Sequence, residues 1–326
     1  MNLKKLIYLM PLAALLFMTT ACQQDEDPTL GKTKVTFIAH LPETYDSRAI
    51  GDGSKANELY FWVYDEQDQE YVDLRRHGVE FDQTTNTSRV SAYLTPGHVY
   101  KFAFWAQRAG TTAYTPGASS LIPINYNGVC NDELRDAFWG WIPDLEVNVA
   151  GELEQDIVLT RRLAQLNVGI SPRGYQNAKT AGIDLKEYDS KITIQRSGVA
   201  AYTAFELKGG EPPYSNRTYQ RPTITFDFAP MPDELLRAEN KNWVYLALNY
   251  FQPSVAQQFL VNVTMVLRHR ETGHLITFNF PNIPVRGTER TNILIEDIVE
   301  DVDFNVEIDE NFDNMDYNVN YDPIGD

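Results

Sequence analysis

The chain has 326 residues, with 45 acidic against 28 basic side chains and a net charge of −17. That balance excludes nucleic acid as a partner, because affinity for phosphates comes from clustered Lys and Arg. Two cysteines and five histidines leave little for a disulfide framework or a metal centre, and the length suits two domains of about 100 to 150 residues each.

Residues 1–22 carry the three parts of an export signal in order. Lys4 and Lys5 form a basic patch, Leu6 to Met18 is an apolar run broken once by Pro11, and Thr19-Thr20-Ala21 leads to Cys22. The run is too short for a membrane span, which needs about 20 residues, so residues 1–21 are predicted to be a signal peptide. Its end resembles a lipobox, in which Cys22 takes a diacylglyceryl thioether and acyl chains such as palmitate, although Thr19 stands where Leu is usual. Gln23-Gln24-Asp25-Glu26-Asp27 opens an acidic tether over residues 22–32 and resembles the surface-export signal of Bacteroidetes lipoproteins. The expected location is the outer face of the cell outer membrane. A lipid anchor contributes about 0.8 kcal/mol per buried CH₂, and several chains make attachment effectively permanent. With Cys22 acylated only Cys130 remains, read as a buried or half-buried small residue without a disulfide partner.

The rest reads almost entirely as strands. Val35, Phe37, Ala39 and Leu41 alternate with Thr36, Ile38 and His40, and strong runs follow at 59–64, 89–94 and 99–106. Turn-formers such as Gly51-Asp52-Gly53 and Thr95-Pro96-Gly97 separate them. Further strands are predicted at 121–126, 145–149, 157–159, 163–170, 191–195, 199–207, 223–228 and 243–250. Phe259 to Leu267 shows one apolar face, the turn Glu271-Thr272-Gly273 folds it back onto 275–280, and Val302 to Ile308 alternates again. Two short helices are predicted, at 132–138 capped by Asn131 and at 233–239. Many short strands with Gly and Pro turns mean an all-β chain of sandwich or barrel domains. The boundaries are placed at 33–161 for the N-terminal domain and 162–310 for the C-terminal domain, with an acidic tail at 311–326.

At this point the residues carry a resemblance. Ser47-Arg48-Ala49-Ile50-Gly51-Asp52-Gly53, Tyr100-Lys101-Phe102-Ala103-Phe104-Trp105-Ala106, Asn131 to Phe138, Leu163-Ala164-Gln165-Leu166-Asn167-Val168 and the closing Arg290-Thr291-Asn292-Ile293 with Val302 to Val306 are similar to Bacteroides fimbrillin-like surface lipoproteins. The resemblance is spread along nearly the whole chain. It departs at Leu294-Ile295-Glu296-Asp297-Ile298, where the family often has a Gly-Asn-Leu-Leu-type stretch. The resemblance implies two tandem transthyretin-like β-sandwich domains after the lipoprotein signal. It further implies a structural or adhesive role in a fimbrium, with other fimbrial subunits, copies of itself, or a host or bacterial surface ligand as partners. In polymerising relatives a protease cuts beyond the first strand after a basic residue, and Arg48 occupies the matching position. An ordinary solvent-exposed loop arginine is the alternative reading of Arg48.

No catalytic motif, dinucleotide loop or metal-ligand spacing accompanies this pattern, so neither an enzyme nor a cofactor is expected. Asp309, Asn311 and Asp313 have the first spacings of a calcium loop, but Asn320 stands where a bidentate Glu is needed. A solvated acidic tail is preferred there to a calcium site or a donor segment. The rival function is glycan binding: Trp139 and Trp141 share a face if their segment is extended and would stack on sugar rings if exposed.

Overall fold

The computed structural model describes residues 31–42, 56–117, 119–232, 244–299 and 304–309. Cys22, Arg48, the predicted helix at 233–239 and the tail at 311–326 lie outside the described residues.

Apolar residues at alternate positions put one face of several strands into a core. The first set is β1 (Thr33–His40), β2 (Glu58–Asp65), β3 (Arg76–Glu80), β4 (Thr87–Leu94), β5 (His98–Gln107), β6 (Leu121–Pro123), β7 (Gly128–Val129), β8 (Phe138–Val147) and β9 (Gly151–Val158). A three-stranded sheet in the order β4-β1-β9 faces a four-stranded sheet in the order β3-β2-β5-β8. Phe37 lies at the centre between them, with its ring centroid 5.5, 4.5 and 5.4 Å from those of Phe61, Phe102 and Phe104.

The second set is β10 (Ala164–Ile170), α1 (Pro172–Thr180), β11 (Tyr188–Gln195), β12 (Ala201–Tyr202), β13 (Ala204–Glu206), β14 (Gln220–Arg221), β15 (Thr223–Pro230), β16 (Val244–Phe251), β17 (Phe259–His269), β18 (Leu275–Val285), β19 (Arg290–Ile295) and β20 (Phe304–Asp309). Its sheets run β16-β10-β19-β20 and β18-β17-β11-β15-β7. The chain path of the first sandwich is repeated here. β10 sits like β1, antiparallel to one neighbour and parallel to the other, and β15-β11-β17-β18 repeats β3-β2-β5-β8. The fold is therefore all-β, two tandem sandwiches of transthyretin-like kind.

Two helix expectations meet the structure differently. The segment at 132–138 forms only a 3₁₀ turn, Glu133–Arg135, capped by the Asp132 carboxylate on the Leu134 N–H at 3.1 Å. Asn131 has φ of +63° and spends its side chain elsewhere, so it does not cap. The one α-helix among the described residues, α1, was not predicted. Its signal is local: Ser171 accepts from the Gly174 N–H at 3.0 Å, and Pro172 fits the first turn. Gly174 is needed for packing, since a Cβ there would sit 2.2 Å from the Glu296 carbonyl oxygen. No helix of the described residues is long and apolar enough to cross a membrane.

Candidate functional site

The first strand of the described residues is completed by neighbours on both sides. β1 lies in the middle of its sheet, antiparallel to β4 from Thr33↔Leu94 to His40↔Thr87 and parallel to β9 from Thr33↔Gly151 to His40↔Val158. Val35, Phe37 and Ala39 point inward and are fully buried. Outward, the sheet is laced by ion pairs, Lys34 to Glu152 at 3.7 Å and Arg89 to Glu154 at 2.9 Å, and by a hydrogen bond between His40 Nε2 and Asp156 at 2.7 Å. Such exposed pairs add little, roughly 0 to 1 kcal/mol each. The inward side chains carry the binding of this strand to the rest of the domain. Taking β1 away would leave unpaired backbone groups on both β4 and β9 and an aromatic-walled slot where Phe37 sits.

The second sheet of this sandwich is aromatic on both faces, which is why β2 and β5 read as nearly continuous apolar runs. Tyr60, Trp105 and Trp139 form one cross-strand row on the outer face, and Trp62, Ala103 and Trp141 the next. That face is covered by the long β5–β8 connection and by the second sandwich. Trp105 packs 5.2 Å from Tyr114 and 5.2 Å from Phe205, and Trp62 donates its Nε1–H to the Gly117 carbonyl at 3.2 Å.

This placement bears on the two glycan-stacking candidates. Trp139 and Trp141 do share a face, but Trp139 is 6% exposed. It donates Nε1–H to the Leu207 carbonyl at 2.9 Å, lies 6.1 Å from Phe205 and has the Arg162 guanidinium 4.5 Å over its ring. Gly210, with φ of +69°, is so close that a Cβ would meet the indole at 2.6 Å. Trp141 is half-buried beside Tyr64, with centroids 6.1 Å apart. The strands that align the pair press Trp139 against Leu207 and Phe205 of the second sandwich, so the two rings do not form one open aromatic platform. Trp139→Ala is thus expected to cost about 3–5 kcal/mol of stability as a large-to-small core change. Chemical unfolding measures that loss, and a folded variant of unchanged stability would contradict the junction described here.

Sequence reading did not find the strap that joins the sandwiches. Between β5 and β8 the chain crosses to the second sandwich: β6 pairs with β13 and β7 lies parallel beside β15. Asn131 exchanges hydrogen bonds with Leu248 of β16, backbone N–H to carbonyl at 2.9 Å and Leu248 N–H to the Asn131 side-chain oxygen at 2.9 Å. Its amide also donates to the Ser190 hydroxyl at 2.9 Å. Next to it Cys130 is buried, donating to the Phe226 carbonyl at 3.6 Å; burial pushes its thiol up to about 12, so at neutral pH it stays an uncharged core residue. Arg135 crosses the strap under Tyr126 and Phe226 and donates to the Asn125 carbonyl at 2.6 Å. At the strap's end Asp136 takes Arg161 in a buried two-point contact, at 2.9 Å from Nε and 2.8 Å from Nη2, with the guanidinium 4.5 Å over the Phe138 ring.

Among the described residues no three His, Cys, Asp or Glu side chains gather as a metal site would require. His269, at the tight turn after β17, bonds through Nε2 to Glu187 at 3.0 Å and through Nδ1 accepts the Glu271 and Thr272 N–H groups, a structural role at a turn.

No curated protein matches the chain in sequence. Its fold is similar to that of a candidate cell adhesion protein of Bacteroides ovatus, with a TM-score of 0.50 at 12% identity, covering 84% of this chain and 96% of that one. Weaker similarities are to the tip fimbrial protein Mfa3 of Porphyromonas gingivalis, with a TM-score of 0.43 at 12% identity over 85% of this chain and 99% of that one. The fimbrial anchor protein Mfa2 of the same organism has a TM-score of 0.42 at 10% identity, over 85% and 98%. Residues 27–322 match the sequence model described as a family of unknown function, DUF6562, and the chain belongs to that family.

Proposed function

We propose that the protein is a lipid-anchored subunit of the bacterial outer surface, fimbrillin-like in its structural and adhesive role, that joins other fimbrial subunits or copies of itself by strand exchange. The observation that carries this reading is the position of β1: a first strand, central in its sheet, with Phe37 as the core of its domain and Arg48 eight residues beyond its end. Cutting after Arg48 would make that strand separable from the domain it completes. The adhesion role given for the Bacteroides ovatus neighbour supports the same direction. The anchor rests on the sequence from Lys4 to Cys22. Glycan binding through Trp139 and Trp141 is the less supported alternative, because the first of the pair is buried.

The test is an unheated denaturing gel of outer-membrane fractions from cells making the wild-type chain or Arg48→Ala, blotted for the second sandwich. Wild type gives a regular ladder and Arg48→Ala a single band. A single full-length band in both discards the self-polymer and leaves an anchored adhesin.

A further inference from the structure

The three-stranded sheet of the first sandwich occurs again in the second, and the two copies differ at their edges. In the second sandwich both edges have further partners. β16, the counterpart of β4, is held by Asn131 at Leu248, and just beyond it Gln252 donates its N–H to the Tyr126 hydroxyl at 2.9 Å and accepts the Tyr202 N–H at 2.8 Å. β19, the counterpart of β9, is covered by β20 from Arg290↔Asp309 to Ile295↔Phe304. In the first sandwich, among the described residues, β9 pairs with β1 alone, and β4 pairs with β1 and, only at Thr87, with Asp82. Apolar side chains stand beside these open edges: Tyr93 on β4, Leu153 and Val158 on β9 and Val149 just before it are all exposed.

The two bare edges are also unlike in charge. β4 carries Arg89 and no carboxylate; β9 carries Glu152, Glu154 and Asp156 and no base. Pairing β9 with β9 would set carboxylates opposite carboxylates, which is destabilising, whereas β4 brings Arg89, which reaches Glu154 of its own chain and is still largely exposed on the open side. Strand direction fits too. β4 is antiparallel to β1 and β1 is parallel to β9, so a copy shifted sideways in the same orientation presents its β4 antiparallel to the β9 of its neighbour.

We infer that the open edges of the first sandwich are a self-association surface, β4 of one copy adding to β9 of the next. The contact is heterologous, so repetition gives an open row of copies and not a closed dimer. It builds on the surface-subunit reading above but needs no cleavage and no departing strand.

The test uses the mature chain from Gln23 with Arg48→Ala, which removes the proposed cut. In each edge strand alternate N–H groups face β1 and the open side, so prolines at two successive positions include one that removes an open-side donor only. The pairs are Val90→Pro and Ser91→Pro in β4, and Glu154→Pro and Gln155→Pro in β9; circular dichroism and melting select the member of each pair that keeps its fold. In sedimentation velocity the parent chain gains mass several-fold, reversibly, as concentration rises. Each edge variant alone stays a monomer, and a mixture of the two forms a twofold-mass species and nothing larger. A parent that is monomeric throughout, a variant that associates as the parent does, or a mixture that gives no dimer overturns the inference. Because the chain cannot be cut, a negative result leaves the strand-exchange ladder to stand or fall on its own gel.

Discussion

Phe37→Ala is expected to destabilise the protein by about 3–5 kcal/mol, the range for removing a fully buried phenylalanine. The ring touches aromatic neighbours from both β2 and β5, so the space cannot close by moving one side chain. The measurement is urea unfolding of the full mature chain, with the midpoint falling steeply. A loss below about 1 kcal/mol, as for a surface substitution, would mean that β1 is a peripheral strand and that its removal opens no slot worth filling.

Asp136→Ala should cost a similar amount for a different reason. Both partners of the Asp136–Arg161 pair are buried, with side-chain exposures of 3% and 2%. Removing the carboxylate takes the two-point acceptor away from a buried guanidinium, and breaking such a pair costs about 3–5 kcal/mol. Removing both partners is gentler: Asp136→Leu with Arg161→Met should recover much of the loss, because desolvating an ion pair offsets most of its attraction. The pair sits where the strap ends and the second sandwich begins. Asp136→Ala therefore lowers the melting temperature of both sandwiches together, visible in calorimetry as one shifted transition. A variant in which only one of two separate transitions moves would contradict the coupling assigned to the strap.

The parts of the fold legible in the sequence were those with a local signal. Strict alternation located β1, β17 and β20, and aromatic runs located β2 and β5. β9 was read only at its C-terminal end, because Gly151-Glu152-Leu153-Glu154-Gln155-Asp156 is an exposed edge whose inward positions are hardly apolar. β3 was missed for a similar reason, with Arg76 and His77 in a short edge strand. The shared face of Trp139 and Trp141 followed from the two-residue period of a strand, yet what covers that face is a contact across the chain between Trp139 and Leu207. No spacing within one strand encodes such a contact. The strap was invisible for the same reason: Asn131 suggested a helix cap, while its side chain bonds to Leu248 and Ser190, far away in sequence.

The most direct test of the central claim is the N-terminus of the protein in surface polymers, read by mass spectrometry after dissociation. Strand exchange predicts subunits that begin at Ala49, with the segment containing Val35, Phe37 and Ala39 no longer joined to them. Polymers whose subunits still carry residues 33–41 in one unbroken chain with β2 would contradict it.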